Sequence, residues 1–142
     1  MNFYSLISNN LNTENDFITR SDGSVISCVQ MDGLTAKFAR VLGSLGVNKG
    51  DRVMMYAEKS PDVLITYIAC LRAGFVFVPI NPAYTKSELE YFIQDSKPKV
   101  IIVDTNNEEI IQLINDQHGI IMETLSTNEV TGTLPEKAMA MS

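Results

Sequence analysis

At 142 residues, with 45% hydrophobic and 20% charged side chains, the chain has the size and composition of one soluble globular domain able to bury a real core. Its net charge of −6 falls in the last 42 residues, where seven acids face Lys137, so a basic face for nucleic acid is excluded and that end reads as solvated surface plus loose tail. No apolar run nears the roughly 18 residues of a bilayer span, and the opening "MNFYSLISNNLNTEND" lacks the basic start and apolar centre of a signal peptide. Two cysteines, Cys28 and Cys70, form neither a metal spacing nor a disulfide framework, which suits a reducing cytoplasm.

Ser27 and Gln30 form a capping box that opens the first long helix. Met31, Leu34, Phe38, Val41, Leu42 and Leu45 then lie on one stripe, and Gly46 ends it. Gly33 costs about 1 kcal/mol inside that helix, which points to close packing or to drift. "GDRVMMYAE" reads as a turn and a strand from Arg52 to Ala57. Ser60-Pro61 starts a helix that runs to Ala73 and closes at Gly74. Its apolar residues run nearly all round: Val63, Leu64, Tyr67, Ile68, Cys70 and Leu71 sweep one side, and Ile65 and Ala69 lie on the other.

"FVFVP" is the next strand, a continuous apolar run of the kind found when both sheet faces are covered. Thr85 and Glu88 make a second capping box, and Leu89, Phe92 and Ile93 give its helix a single apolar face. "KVIIVD" is a third strand, Thr105-x-x-Glu108 starts another helix, and "GIIMET" is a fourth strand. After Thr124 the periodicity stops, so 126–142 is expected to be loop or loose tail. The alternation implies a parallel sheet with helices on both faces and ligand sites beyond the strands' carboxyl ends.

Those ends offer few chemical groups. No glycine-rich phosphate loop follows a strand, and Gly43, Gly46 and Gly50 are spaced as helix-end and turn glycines. Lys59 and Ser60 face a helix N-terminus where amides can hold an anion, but a capping role for Ser60 explains the pair more simply. Asp104 ends a strand as ribose-binding acids do, yet lacks the preceding glycine fingerprint, and a turn role is favoured. His118 is read as an exposed turn histidine, and Cys28 and Cys70 as core thiols.

From Ile26 to Asp104 the sequence resembles the N-terminal region of the adenylate-forming enzymes: acyl-CoA synthetases, coumarate-CoA ligases, luciferases and related ligases. The resemblance is carried by "LGSLGVNKGDRVMMYAEKSPDVLITYIACLRAGFVFVPINPAYTKSELEYFIQDSKPKVIIVD". Four family features stand there in order: a Leu-Gly-Val-x-x-Gly-Asp-x-Val turn, a helix ending in Ala-Gly, a strand ending in Pro-Ile-Asn, and a Pro-Lys strand start. "AEKS", "NPAYTKSELEYFIQDSKPKVIIVD" and "METL" look most like malonyl-CoA synthetases. Cys28 stands where the family usually has tyrosine and Gln30 where it has glutamate; both keep the helix start intact. Where some acetyl-CoA synthetases place two arginines for CoA phosphate, this chain reads "TNNEE".

The resemblance implies an α/β fold, a parallel sheet with helices on both faces, forming the N-terminal part of the large domain of these enzymes. Residues 1–125 would be an incomplete segment of an AMP-binding, acyl-CoA ligase domain. The parent would use ATP, magnesium and CoA to convert a malonate-like carboxylic acid to its acyl-CoA. The family's phosphate loop, adenine motif, ribose aspartate and C-terminal lysine lie beyond the region resembled. No catalytic, cofactor-binding or metal residue is therefore assigned within the chain, which is expected to be inactive by itself and able to self-associate. A stand-alone α/β interaction or small-molecule-binding module is the rival reading. A flavodoxin-like binder would need a phosphate or flavin loop that "AEKSP" does not supply.

Overall fold

The computed structural model describes residues 16–19, 25–105, 107–116, 120–125 and 132–141. Strands β1 (Asp16–Thr19) and β2 (Val25–Ser27) form a short antiparallel ribbon that hydrophobic periodicity does not announce, because three or four residues are too few to show a period. Helix α1 (Cys28–Ser44) starts on the expected capping box: Ser27 Oγ accepts the Gln30 N–H at 3.2 Å, and Gln30 Oε1 accepts the Ser27 N–H at 2.9 Å. Of its stripe, Met31, Phe38, Val41 and Leu42 are fully buried, while Leu34 and Leu45 are half-buried. Gly46 follows with φ of 98°, the left-handed turn that glycine adopts without strain.

The main sheet contains β3 (Arg52–Tyr56), β4 (Val76–Pro79), β5 (Val100–Asp104) and β6 (Ile121–Leu125), all parallel, in the order β4-β3-β5-β6. Between them run α2 (Pro61–Ala73), α3 (Lys86–Ser96) and α4 (Glu108–Asn115), and α5 (Thr133–Met139) follows β6. The chain moves outward from β3 to β4, then reverses across to β5 and β6. Right-handed crossovers therefore put α2 on one face and α3 and α4 on the other. The cores follow that division. Val53, Met55, Val100 and Ile102 pack with α1, α2 and α5; Met54, Tyr56, Ile101 and Val103 pack with α3 and α4.

The two sheet edges differ. At β6, Thr124 N–H donates to Thr133 Oγ1 and Thr133 N–H donates to Thr124 Oγ1, both at 2.8 Å. The Thr133 hydroxyl donates to Glu123 Oε1 at 2.7 Å, and Lys137 Nζ reaches Glu123 Oε2 at 2.7 Å. A buried carboxylate is thus fully partnered, and α5 is fastened over the edge. At β4, Val76 and Ile80 donate their N–H groups to Asp51 O and Met55 O. The alternation turns the Phe77 N–H outward, and Pro79 has none to offer, which is where an edge strand tolerates proline.

On the first face α1 covers part of α2. Arg72 Nη1 donates to Asp32 O at 2.8 Å, Asp32 Oδ1 at 3.1 Å and the buried Thr35 Oγ1 at 3.2 Å. Ile65 and Ala69 share that stripe and are buried. Leu64 and Tyr67, assigned by pattern to the main apolar side, are instead 36% and 39% exposed. Tyr67 leans on Phe77, with ring centroids 5.1 Å apart.

Three expectations need correction. Residues 133–139 are helix, not loop: Leu134, Pro135 and Ala138 are buried, a stretch too short to reveal its period in sequence. Helix α4 is capped by Asn107, whose Oδ1 accepts the Ile110 N–H, rather than by Thr105. At α3 the box is half made: Thr85 Oγ1 accepts the Glu88 N–H, but the Glu88 carboxylate takes the Thr85 hydroxyl instead of reaching back to its amide.

Gly132 and Gly33 are expected to respond oppositely to a methyl group. A Cβ at Gly132 would sit inside van der Waals distance of Thr124 O and the Leu125 backbone, whereas one at Gly33 meets nothing within 4 Å. Gly132→Ala should destabilise the fold by about 1–3 kcal/mol. Gly33→Ala should stabilise it by up to about 1 kcal/mol. Urea unfolding of the two variants checks both signs.

Candidate functional site

In a doubly wound sheet the ligand crevice opens beyond the carboxyl ends of the two strands from which the connections diverge. Here those strands are β3 and β5, so the crevice is bounded by Tyr56, Ala57 and Glu58 on one side and Asp104 and Thr105 on the other. The space is bridged by the protein itself. Asp104 Oδ2 accepts the Glu58 N–H at 3.3 Å, and Asp104 O accepts the Asn107 N–H at 3.2 Å. Asp104 thus joins the ends of two adjacent strands, the turn role favoured for it.

Beside it stands a group that pattern reasoning missed. Tyr56 ends β3 buried, and its hydroxyl hydrogen is shared between Tyr84 O at 2.6 Å and Pro82 O at 3.0 Å. Those carbonyls belong to the corner after β4. Ile80 N–H bonds Met55 O, Asn81 Oδ1 accepts the Ala83 N–H at 2.9 Å, and Asn81 O accepts the Tyr84 N–H at 3.0 Å. Pro82 restricts Asn81 to extended backbone, so a donor from β3 completes a rigid corner at the carboxyl end. The one sequence signal was a tyrosine closing an otherwise apolar strand; a phenol there needs a partner.

The other candidates take the roles that packing gives them. Ser60 Oγ caps α2 by accepting the Val63 N–H at 3.3 Å, and Asp62 follows in the first turn, so an anion there would meet a carboxylate. Lys59 is exposed. Gly46 and Gly50 lie at the amino end of the sheet, where Gly50 N–H bonds Gly74 O. Cys28 and Cys70 are buried among apolar neighbours, and burial pushes the Cys70 thiol up from 9.0 to about 12, which keeps it protonated and inert. His118 lies outside the described residues. Among the described residues no cluster of three His, Cys, Asp or Glu side chains is placed to hold a metal ion.

At the described carboxyl end the Asp104, Ser60 and Tyr56 side chains are engaged with backbone, and the charges that reach the Tyr56 phenol are the carboxylates of Glu109 and Glu88.

A family model described as AMP-binding enzyme matches residues 9–140. Acyl-coenzyme A synthetase ACSM3 of Rattus norvegicus is 30% identical over 112 residues, 75% of this chain and 19% of the relative. Syringomycin synthase SyrB1 of Pseudomonas syringae is 37% identical over 82 residues, 58% of this chain and 13% of that protein. The structure of apo MatB from Rhodopseudomonas palustris superposes with a TM-score of 0.86 at 34% identity, covering all of this chain and 29% of its own. The chain thus spans less than a third of the length of each.

Tyr56→Phe should cost about 1–2 kcal/mol by removing the hydroxyl from the corner. The alkaline limb gives a second test. Burial first, then Glu109 and Glu88, raise the Tyr56 phenol above its ordinary 10.0. Both Tyr56 and Cys70 are neutral when protonated and hold their protons longer in the folded state. Their stabilisation is full below the unfolded values and is lost as pH rises, from 9.0 towards about 12 for the thiol and above 10.0 for the phenol. Urea melts across that range should show stability falling, with the loss above pH 10.0 smaller in Tyr56→Phe.

Proposed function

This chain belongs to the AMP-binding enzyme family, and from that premise we propose that it supplies the N-terminal scaffold of an ATP-dependent acid–thiol ligase. The complete enzyme would join a carboxylic acid to AMP, releasing pyrophosphate, and then pass the acyl group to the thiol of CoA, with displacement of AMP. Magnesium would act on the phosphates of ATP. The acid would be malonate or a related dicarboxylate, an assignment supported by the residue resemblance and by the likeness to MatB along the whole chain. The enzyme would work in the cytoplasm; no helix among the described residues is long and apolar enough to cross a membrane.

The observation that carries the scaffold reading is that Asp104, Ser60 and Tyr56, at the described carboxyl end, each hold backbone. That supports a segment that positions strands and a corner, with the groups that touch ATP, CoA and the acid supplied from elsewhere in the parent. Leu64, Tyr67 and Val76, exposed beside the open edge of β4, support the same reading, since a larger domain would cover them. A second reading, a self-standing α/β module for interaction or small-molecule binding without catalysis, is favoured by the way α5 seals the opposite edge.

Purified as 142 residues, the chain should release no pyrophosphate with malonate, ATP, magnesium and CoA. Joined in register to the remainder of MatB it should restore malonate-dependent release. Turnover by the short chain, or a soluble, folded chimera without activity, would contradict the scaffold role. The short chain should also bind ANS and self-associate through the Leu64 and Tyr67 surface beside β4. A dye-silent monomer with one cooperative melt would favour the self-standing module.

A further inference from the structure

Helix α3 turns Leu89 and Ile93 into the sheet and carries a second, aromatic surface outside. Tyr84, in the corner before the helix, stacks on Phe92 with ring centroids 5.3 Å apart, and Tyr91 meets Phe92 edge-on at 5.7 Å. Packing of the corner against the helix explains Tyr84 and Phe92. It does not explain Tyr91, which remains 65% exposed. The three rings, with Ser87 and Glu88, line a shallow cavity of about 350 Å³.

Its charge is of one sign. The Glu88 carboxylate keeps one oxygen on the Thr85 hydroxyl at 3.1 Å. The ion pairs among the described residues, Arg72–Asp32 and Lys137–Glu123, lie elsewhere. Lys86 is two positions before Glu88, about 200° round the helix, and so does not face it. Aromatic faces beside an unneutralised carboxylate recognise a cation with a flat or apolar body. A guanidinium suits both features, stacking on a ring while donating in its own plane to a carboxylate. The polar residues flanking the rings, Lys86, Ser87, Gln94 and Asp95, are exposed, as the rim of an interface is.

We propose that this α3 groove is a docking surface for a separate protein, which lays an arginine side chain against Tyr91 and Tyr84 and sets its guanidinium on Glu88. The inference goes beyond the ligase reading and does not rest on it. Peptide binding reports on a surface, whereas pyrophosphate release reports on the parent's chemistry, so either can fail without the other.

The test titrates acetyl-Gly-Arg-Gly-amide into the 142-residue chain and follows the aromatic-ring proton signals together with tyrosine fluorescence, readable because the chain has no tryptophan. Saturable shifts confined to Tyr84, Tyr91 and Phe92 are expected, and they should weaken as salt is raised. The citrulline peptide, of the same shape without charge, should not saturate. Tyr91→Ala should abolish the response, Tyr91→Phe should retain it, and Glu88→Gln should weaken it about threefold. Since the Tyr91 side chain is largely outside, the melt of Tyr91→Ala should match the parent chain. Non-saturating shifts, equal binding of the citrulline or lysine peptide, or an unchanged response in Tyr91→Ala or Glu88→Gln would overturn the proposal.

Discussion

Everything in this fold is arranged around a strand with no water on either face. Val100, Ile101, Ile102 and Val103 of β5 are each fully buried, alternately against α1, α2 and α5 and against α3 and α4. Each side chain contributes about 1.5–3 kcal/mol on burial, so four residues supply a sum comparable to the net stability of a whole domain. A strand buried on both faces requires a neighbour on each side to satisfy its backbone and helices on each face to exclude water. The order β4-β3-β5-β6 and the reversal of direction at β4 meet both needs with connections of ordinary length.

The same arrangement separates what is closed from what is open. The β6 edge is sealed by the reciprocal Thr124–Thr133 bonds and the buried Glu123–Lys137 pair. The crevice between β3 and β5 is crossed by the Asp104–Glu58 bond, and the corner beyond β4 is held by Tyr56. What stays open is the far side: the outward edge of β4, the Leu64 and Tyr67 surface, and the aromatic surface of α3. The chain matches its family along nearly its whole length while spanning under a third of its relatives.

Much of this architecture could be read from sequence because the decisive signals are local. The Ser27 and Ser60 caps, the glycines at 46 and 74, and the unbroken apolar runs of β3 and β5 each act within a few residues of themselves. Four motifs in order carried the family, which no single motif could. What escaped depends on residues distant in the chain. The partner of Tyr56 lies nearly thirty residues on, and α5 becomes an element through burial against β6 and α1, not through its own short pattern. The sequence pattern of α2 marks apolarity nearly all round, whereas the position of α1, fixed by Arg72 on Asp32 and Thr35, decides which apolar residues are covered.

The fold is a parallel sheet with two buried inner strands, one sealed edge and one open edge. Native-state hydrogen exchange tests it most directly, since each amide reports its own bonding. The amides of β5 should exchange last, through global unfolding, and that of Thr124, bonded to Thr133, should be protected although it faces away from the sheet. The Phe77 amide, facing outward from β4, should exchange orders of magnitude faster than the Val76 and Ile80 amides beside it. Equal protection of Phe77 with its neighbours, or exchange of β5 at the rate of the turns, would be incompatible with that sheet.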